Sequence, residues 1–327
     1  MTKFVLRRVL LMIPILLGVT LLIFILRAVT PGDPVDSLLS QNATPEQRAE
    51  LREELGLNDP LVIQFFRYVK DVFTGDLGLS YSTRQPVLGE ILGRFPYTLI
   101  ICFGAVTIGL LLGLPLGVFS ALKQYTWVDS TILVLSMLFA ACPGFVLALV
   151  LITIFSVNLG WLPAVGLASN LGYILPMVTI GVSSLSRYTR ITRSSFLEVI
   201  RQDYIRTARA KGQTEGKIII RHAFRNAFIP VASSIGIQIG HQLGGALIVE
   251  TVFGIPGIGK YIGDAITARN FPSVQGGVLF LAFVFTLINL LVDLSFVWIN
   301  PRLKSSFVYE SESREKRILR KGAREER

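Results

Sequence analysis

The sequence has few of the residues that catalysis and metal binding usually require. It contains 2 cysteines and 2 histidines among 327 residues, and 17% of its residues are charged. Cys102 and Cys142 both fall in long apolar runs and lack the spacing of a metal-binding pair, so we interpret them as small apolar side chains. Neither a metal site nor a disulfide framework is therefore predicted.

The motifs of common hydrolytic enzymes are also absent. The sequence has no HExxH, no GxSxG and no paired carboxylates within its apolar runs. Gly254–Tyr261 has the glycine and lysine spacing of a phosphate-binding loop, but Tyr261 stands where that loop needs Ser or Thr to hold magnesium, and Pro256 interrupts it. We predict a Gly/Pro-rich turn there, and a chain that is not an enzyme and holds no cofactor.

Long apolar runs dominate the sequence, which is 51% hydrophobic with a mean hydropathy of +0.58. Because about 20 helical residues cross a bilayer, the uncharged stretch Ser130–Ser186 predicts two membrane helices joined by a turn near Asn158–Gly172. The fold class is therefore all-α, a polytopic membrane protein with six transmembrane helices. The other four predicted spans are Val9–Leu26, Phe95–Leu122, Phe228–Val249 and Gly276–Ile299.

The basic residues are distributed unevenly among the connections between these spans. Of 32 lysines and arginines, 23 lie in the N-terminus, the second and fourth connections and the C-terminal tail. Because cytoplasmic segments are enriched in Lys and Arg, both termini are predicted to be cytoplasmic. The net charge of +10 then favours membrane lipid headgroups as partners, and no nucleic-acid-binding motif is present.

The chain is predicted to have four parts. Residues 1–30 contain the N-terminus and first span, 31–94 an extracytoplasmic loop, 95–302 a five-helix core that includes the cytoplasmic loop 187–226, and 303–327 a charged tail. The sequence of the extracytoplasmic loop predicts one helix that starts at Pro45, is capped by Thr44 and ends at Gly56. The same sequence predicts a second, amphipathic helix over Pro60–Phe73, which would lie on the membrane surface or against a neighbouring helix.

The cytoplasmic loop contains a short segment with its own helix signals. Asp203 is a candidate N-terminal cap, and Gly212 supplies a left-handed stop. Such a helix of about two turns is marginal in water and needs something to pack against. An ordinary loop whose arginines follow membrane topology is the alternative. Extending the pattern back to Leu197 predicts an apolar side with Leu197, Ile200, Tyr204 and Ala208, opposite Gln202, Arg206 and Arg209.

Several polar residues interrupt the last two predicted spans. They are Ser234, Gln238, His241 and Gln242 on one face of the fifth helix, and Asn289 and Asp293 four residues apart on the sixth. Such residues either line a translocation path or join helices by hydrogen bonds, and the sequence leaves both roles open. A proton-coupled carrier would be expected to have more membrane carboxylates than Asp293 and the boundary residue Glu250.

The cytoplasmic segments DYIRTARAKG, from Asp203, and RHAFRNAFIP, from Arg221, resemble the coupling loop of permease subunits of bacterial ATP-binding-cassette (ABC) importers. The likeness is to the dipeptide, oligopeptide and nickel group, and it extends along nearly the whole chain through TPGDP, ELGLNDPLVIQF, GDLGLSY, VETVFGIPGIG and NPRLK. Two positions depart from the family pattern. Arg206-Thr207-Ala208 replaces the general Glu-Ala-Ala triplet, and Asn300 stands where Asp is common.

This resemblance implies a type I ABC importer permease in the bacterial cytoplasmic (inner) membrane. Its implied partners are a second homologous permease subunit, two ABC ATPase subunits that bind ATP and Mg, and an extracytoplasmic substrate-binding protein. Short peptides are the expected substrate, with nickel complexes, glutathione or a secondary carrier as alternatives. Small residues such as Ala208 would allow close approach to an ATPase, and His222, Arg225 and Asn226 would brace the helix. The implied ATPase-coupling residues are Asp203, Tyr204, Arg206, Thr207, Ala208, Ala210, Lys211 and Gly212.

Overall fold

The computed structural model describes residues 2–29, 35, 39 and 43–299, and within this part the chain is helical apart from turns and an isolated bridge between Leu79 and Pro86. The TPGDP stretch, Asn300 and the predicted tail 303–327 lie outside the described residues. The described α-helices are α1 (Thr2–Val29), α2 (Pro45–Glu54), α3 (Leu61–Phe73), α4 (Val87–Leu122), α5 (Trp127–Ala141), α6 (Gly144–Leu151), α7 (Ile174–Ile200), α8 (Asp203–Ala210), α9 (Glu215–Lys217), α10 (Arg225–Val252), α11 (Ile258–Thr267) and α12 (Phe271–Ile299).

The predicted all-α membrane architecture is confirmed. Helices α1, α4 and α12 are each long and apolar enough to cross a membrane, and α5 with α6 and its continuation provides a further span if the bent pair counts as one. Helices α7 and α10 have 27 and 28 residues, which is enough to cross a bilayer, although they carry more polar residues. These six segments correspond to the six predicted spans.

The third span is broken, which the sequence analysis did not anticipate. Helices α5 and α6 meet at an angle of 99°, and α6 continues as a π-helix over Ile152–Asn158. The break lies at Cys142, whose backbone is extended (φ −71°, ψ 121°), immediately before Pro143. Because the proline ring clashes with a helical residue before it, a helix tends to end there. The sequence analysis also placed the start of the second span at Phe95, whereas α4 begins at Val87.

Helices α4 and α7 pack closely because α4 presents glycines to α7. Gly113 and Gly117 lie one turn apart, and a Cβ atom added at Gly113 would be 2.7 Å from the Cβ atom of Tyr188. A Cβ atom at Gly117 would be 2.5 Å from the Cβ atom of Thr192. Small residues at four-residue spacing allow membrane helices to approach closely, which is the main source of attraction between them in lipid. This seam fixes α7 and therefore the segment that follows it.

The loop between α1 and α4 contains both predicted helices. Thr44 forms the predicted capping box with Gln47 at the start of α2, and Gly56 has a left-handed φ of 62° just beyond its end. Helix α3 begins at Leu61 and packs against α1, where the rings of Phe24 and Phe65 meet edge to face with centroids 5.5 Å apart. The amphipathic helix thus lies against a neighbouring span, one of its two expected positions.

The glycine-rich turn between α10 and α11 surrounds a carboxylate of the chain itself. Thr98 Oγ1 donates a hydrogen bond to Glu250 Oε1 (2.6 Å), and the Lys260 amide donates to Glu250 Oε2 (3.0 Å). A Cβ atom added at Gly257 would be 2.2 Å from Glu250 Cδ. The glycines that resemble a phosphate-binding loop therefore allow the backbone to approach the fully buried Glu250. The predicted turn is present, and the anion that it encloses is internal.

The glycine seam predicts opposite effects for two alanine substitutions in α4. Gly113→Ala should lower the free energy of unfolding by about 1–3 kcal/mol, because the new methyl group overlaps Tyr188. Gly93→Ala has no heavy atom within 4 Å of the new Cβ atom and should be neutral or stabilise by up to about 1 kcal/mol. Denaturant unfolding of the detergent-solubilised full-length chain measures both. Equal stability of the two variants would contradict the close packing of α4 and α7.

Candidate functional site

The short helix α8 forms where the sequence predicts it. It spans Asp203–Ala210, about two turns, and Gly212 has the left-handed φ of 75° that ends it. The N-terminal cap is Gln202, with extended backbone (φ −71°, ψ 149°), and its side chain makes no capping hydrogen bond. The prediction that Asp203 caps the helix is therefore wrong by one position. Asp203 is the first helical residue, and a negative charge at this position interacts favourably with the N-terminal end of the helix dipole.

The buried face of α8 agrees with the predicted apolar side at Ala208 but not at Tyr204. Ile205 is completely buried and Ala208 is 7% exposed, whereas Tyr204 is 43% exposed. The prediction assumed one continuous helical phase from Leu197, but α7 ends at Ile200 and the chain turns before α8 begins. This turn changes which residues of α8 face the chain.

The buried residues of α8 pack against four other parts of the chain. Ile205 and Ala208 belong to an apolar cluster with residues from the end of α4, the end of α7, the π-helix Ile218–Phe224 and the start of α10. The members from those elements are Ala121, Phe196, Ile218, Ala223 and Ala227. Ala208 is small because it packs inside this cluster, and its expected contact with another subunit does not fit this burial.

Polar contacts fix the segment after α8. Arg209 Nε donates a hydrogen bond to Glu215 Oε1 (2.7 Å), and this guanidinium holds the pKa of the Glu215 carboxyl below its ordinary value. Asn226 Nδ2 donates to the Tyr204 hydroxyl (2.9 Å), and His222 Nε2 lies 2.8 Å from Gln213 Oε1. Asn226 thus makes the bracing contact with α8 that was expected of it, whereas His222 contacts the segment after the helix. Among the described side chains, Arg225 makes no hydrogen bond or ion pair that would brace α8.

The remaining residues of the predicted coupling set face away from the chain. All of them are exposed, which leaves one side of α8 and its C-terminal turn as a free surface in this chain. They are Asp203, Arg206, Thr207, Ala210, Lys211 and Gly212. The surface mixes charged and small residues, so that it is suited to contact a second protein through both ion pairs and close packing.

Two of the predicted intramembrane polar residues join helices. Gln238 Nε2 and Gln242 Nε2 of α10 both donate hydrogen bonds to Ser184 Oγ of α7, at 2.9 and 3.0 Å. Ser234 is buried on the same face, and its hydroxyl donates to the Val231 carbonyl of its own helix. The contacts of Gln238 and Gln242 therefore correspond to the helix-joining alternative.

The other predicted polar residues are not brought together with this group. His241 is exposed on α10, and Asn289 is partly buried on α12, where its amide donates to the Phe285 carbonyl one turn earlier. The side chain of Asp293 lies outside the described residues. His241 therefore does not share the buried face of Ser234 and Gln242, because residues 238 and 242 point to α7 while residue 241 is rotated away from it.

A polar cluster that was not predicted from the sequence joins the end of α4, the start of α5 and the end of α7. Arg193 of α7 donates to both carboxylate oxygens of Asp129 in α5, at 2.8 and 2.7 Å. Ser120 of α4 and the backbone amide of Tyr125 also donate to Asp129. The side chains of Asp129 and Arg193 are 6% and 21% exposed. The only sequence signal was an isolated acid beside a long uncharged run.

Removing the charge of Asp129 should destabilise the chain. Asp129→Asn leaves the Arg193 guanidinium with little solvent and no ionic partner, so we expect a loss of about 3 kcal/mol in unfolding free energy. Asp203→Asn is the matched control, because its pair with Arg206 is solvent-exposed and should contribute less than about 0.5 kcal/mol. Unfolding of both full-length variants in detergent tests this, and comparable losses would contradict an interior role for Asp129.

Comparison with known proteins places this geometry in a family. A family model described as "Binding-protein-dependent transport system inner membrane component" matches residues 113–305, and one for the N-terminal part of such membrane components matches residues 1–102. The inward-facing methionine ABC transporter MetNI has a chain of similar fold, with a TM-score of 0.57 and 18% identity over 64% of this chain and 96% of that one.

Two relatives match nearly the full length. The dipeptide transport system permease protein DppB of Alkalihalophilus pseudofirmus is 40% identical over 93% of this chain and 100% of its own length. The glutathione transport system permease protein GsiC of Salmonella paratyphi A is 41% identical over 93% of this chain and 99% of its own length. This chain is an integral inner membrane protein and belongs to the family of permease components of binding-protein-dependent ABC importers.

Proposed function

We propose that this chain is the transmembrane permease subunit of an ATP-driven importer of short peptides. The carrying observation is the near full-length similarity, about 40% identity, to permeases named for dipeptide and for glutathione transport. Glutathione is a tripeptide, so these named substrates share peptide bonds and charged termini. Dipeptide or oligopeptide uptake is our first assignment, and glutathione or a nickel complex is the alternative.

The proposed assembly contains a second homologous permease, two ABC ATPases with bound ATP and Mg, and an extracytoplasmic substrate-binding protein. The sequence has no complete phosphate-binding loop, which supports assigning ATP hydrolysis to other subunits. The excess of lysine and arginine in alternate segments supports cytoplasmic termini and a cytoplasmic α8. The free surface of α8 is then available to an ATPase.

The buried side of α8 supports a rigid transmission of movement. Ile205 packs in one apolar cluster with residues at the ends of α4 and α7. A turn of two residues, Arg201 and Gln202, separates α7 from α8. The Arg193–Asp129 pair further ties α7 to α5. A displacement of α8 by an ATPase would therefore move the cytoplasmic ends of these spans together, as in other rigid-body transitions.

Among the predicted polar residues, His241 is our candidate for the translocation path. A polar side chain is costly against lipid, so an exposed histidine within a span favours a wet path or a second permease as its neighbour. Gln238 and Gln242 instead hold α10 to α7. Ser234, Asn289 and Asp293 stay in the proposed path set.

Uptake by the assembled transporter tests the proposal. Proteoliposomes that contain this permease, its second permease, the ATPases and the binding protein should accumulate labelled dipeptide or oligopeptide only with ATP and Mg. Labelled glutathione and a nickel complex, assayed in parallel, distinguish the alternatives within the family. Proteoliposomes with this chain alone are the control and should take up none of these solutes. Uptake by the chain alone, driven by a proton gradient, would instead indicate a secondary carrier.

A further inference from the structure

A cleft beside α8 is not explained by the proposed function. It has a volume of about 570 Å³ and lies between α8, the π-helix Ile218–Phe224 and the first two turns of α10. Its wall includes Tyr204 of α8 and Asn226 of α10, which are joined by a hydrogen bond of 2.9 Å. Any molecule in the cleft therefore contacts the coupling helix directly.

The cleft is cationic. Arg221 and Arg225, about one turn apart, both line it and are both exposed. Among the side chains that the structure describes, neither guanidinium has an ion pair or a hydrogen bond, and no carboxylate lines the cleft. His222 also lines it, with its Nε2 atom next to Gln213. Two unpaired guanidiniums at one recess form a strong site for an oxyanion, with phosphate as a well-matched partner.

The cleft becomes apolar toward the membrane. Phe228 and Ile229 line it one turn after Arg225, and Ile229 is 39% exposed on a helix that continues into the apolar span. A row of cations followed by apolar side chains at the cytoplasmic end of a membrane helix matches the two parts of a phospholipid, the headgroup and the acyl chain. An acidic protein surface would use the cations but not the apolar floor.

We propose that this cleft binds an anionic phospholipid. Arg221 and Arg225 would hold the headgroup phosphate, and the upper part of one acyl chain would lie along Phe228 and Ile229. Because Tyr204 forms part of the wall, the bound lipid would contact α8 beside its free surface.

Lipid binding to the full-length chain tests this proposal without any transport assay. Native mass spectrometry of the delipidated chain in detergent would measure its affinity for phosphatidylglycerol and for phosphatidylcholine with the same acyl chains. Phosphatidylglycerol should bind more tightly to the unmodified chain. The double variant Arg221→Gln, Arg225→Gln should reduce phosphatidylglycerol affinity by about tenfold to thirtyfold, because each basic residue near a membrane surface contributes about fivefold.

A second double variant controls for general surface charge. Arg201→Gln, Lys217→Gln removes the same charge from exposed cytoplasmic positions that do not line the cleft, and its affinity should fall less than threefold. Equal losses in both double variants, or equal affinities of the two lipids for the unmodified chain, would overturn the proposal. All four side chains are exposed, and an unfolding curve for each variant verifies that the fold is retained.

Two further outcomes would assign the cleft to another occupant and thereby also overturn the proposal. One is displacement of phosphatidylglycerol by millimolar inorganic phosphate, which would indicate a soluble phosphate site. The other is unchanged lipid affinity in the Arg221→Gln, Arg225→Gln variant together with loss of co-purifying ATPase. Since the lipid assay needs neither ATP nor peptide, its failure leaves the proposed transport function unaffected.

Discussion

The burial of Ile205 and Ala208 is the constraint on which α8 and the segments around it depend. A helix of eight residues has too few internal hydrogen bonds to persist in water, so its position is set by what it packs against. Burial of one isoleucine side chain contributes about 1.5–3 kcal/mol, which is comparable to the cost of nucleating such a helix. The inward face therefore belongs to this chain, and recognition by another protein is restricted to the outward face.

The membrane part is held together by different interactions. Apolar side chains are no more favourable against each other than against lipid, so the spans rely on close approach and on buried polar contacts. The glycines of α4 allow the close approach. The buried polar contacts are those of Ser184 with Gln238 and Gln242, and of Asp129 with Arg193. Both kinds of contact converge on α7, the helix that leads into α8. A rigid α7 is what a coupling role requires.

Local signals in the sequence predicted local structure well. The Thr44 capping box, the stop at Gly212 and most of the apolar spans depend on neighbouring residues, and they are found where expected. The near full-length family likeness was also readable from motifs. What could not be predicted depends on three-dimensional proximity. Arg193 meets a carboxylate 64 positions earlier in the chain, and no sequence pattern shows that pairing.

The errors have physical causes as well. Tyr204 was assigned to the wrong face because the helical periodicity of α7 was extended into α8. The turn of two residues between the helices changes the direction in which the residues of α8 point. The prediction that polar residues of α10 share one face holds for Gln238 and Gln242 but not for His241. In a membrane span, both the side against lipid and the side against other helices are rich in apolar residues, so the sequence gives little indication of which side meets a helix. Tyr261 was enough to distinguish the glycine-rich turn from a nucleotide-binding site. The burial of Glu250 against this turn was not predicted, because it depends on contacts between distant parts of the chain.

Site-directed crosslinking from α8 tests the central claim most directly. In a chain with Cys102 and Cys142 replaced by alanine, Ala210→Cys lies on the exposed face of α8 and Ala208→Cys on the buried face. With a cysteine reporter on the ATPase of the assembled transporter, the account predicts crosslinks from position 210 and few or none from position 208. Efficient crosslinking from position 208, with none from position 210, would contradict it.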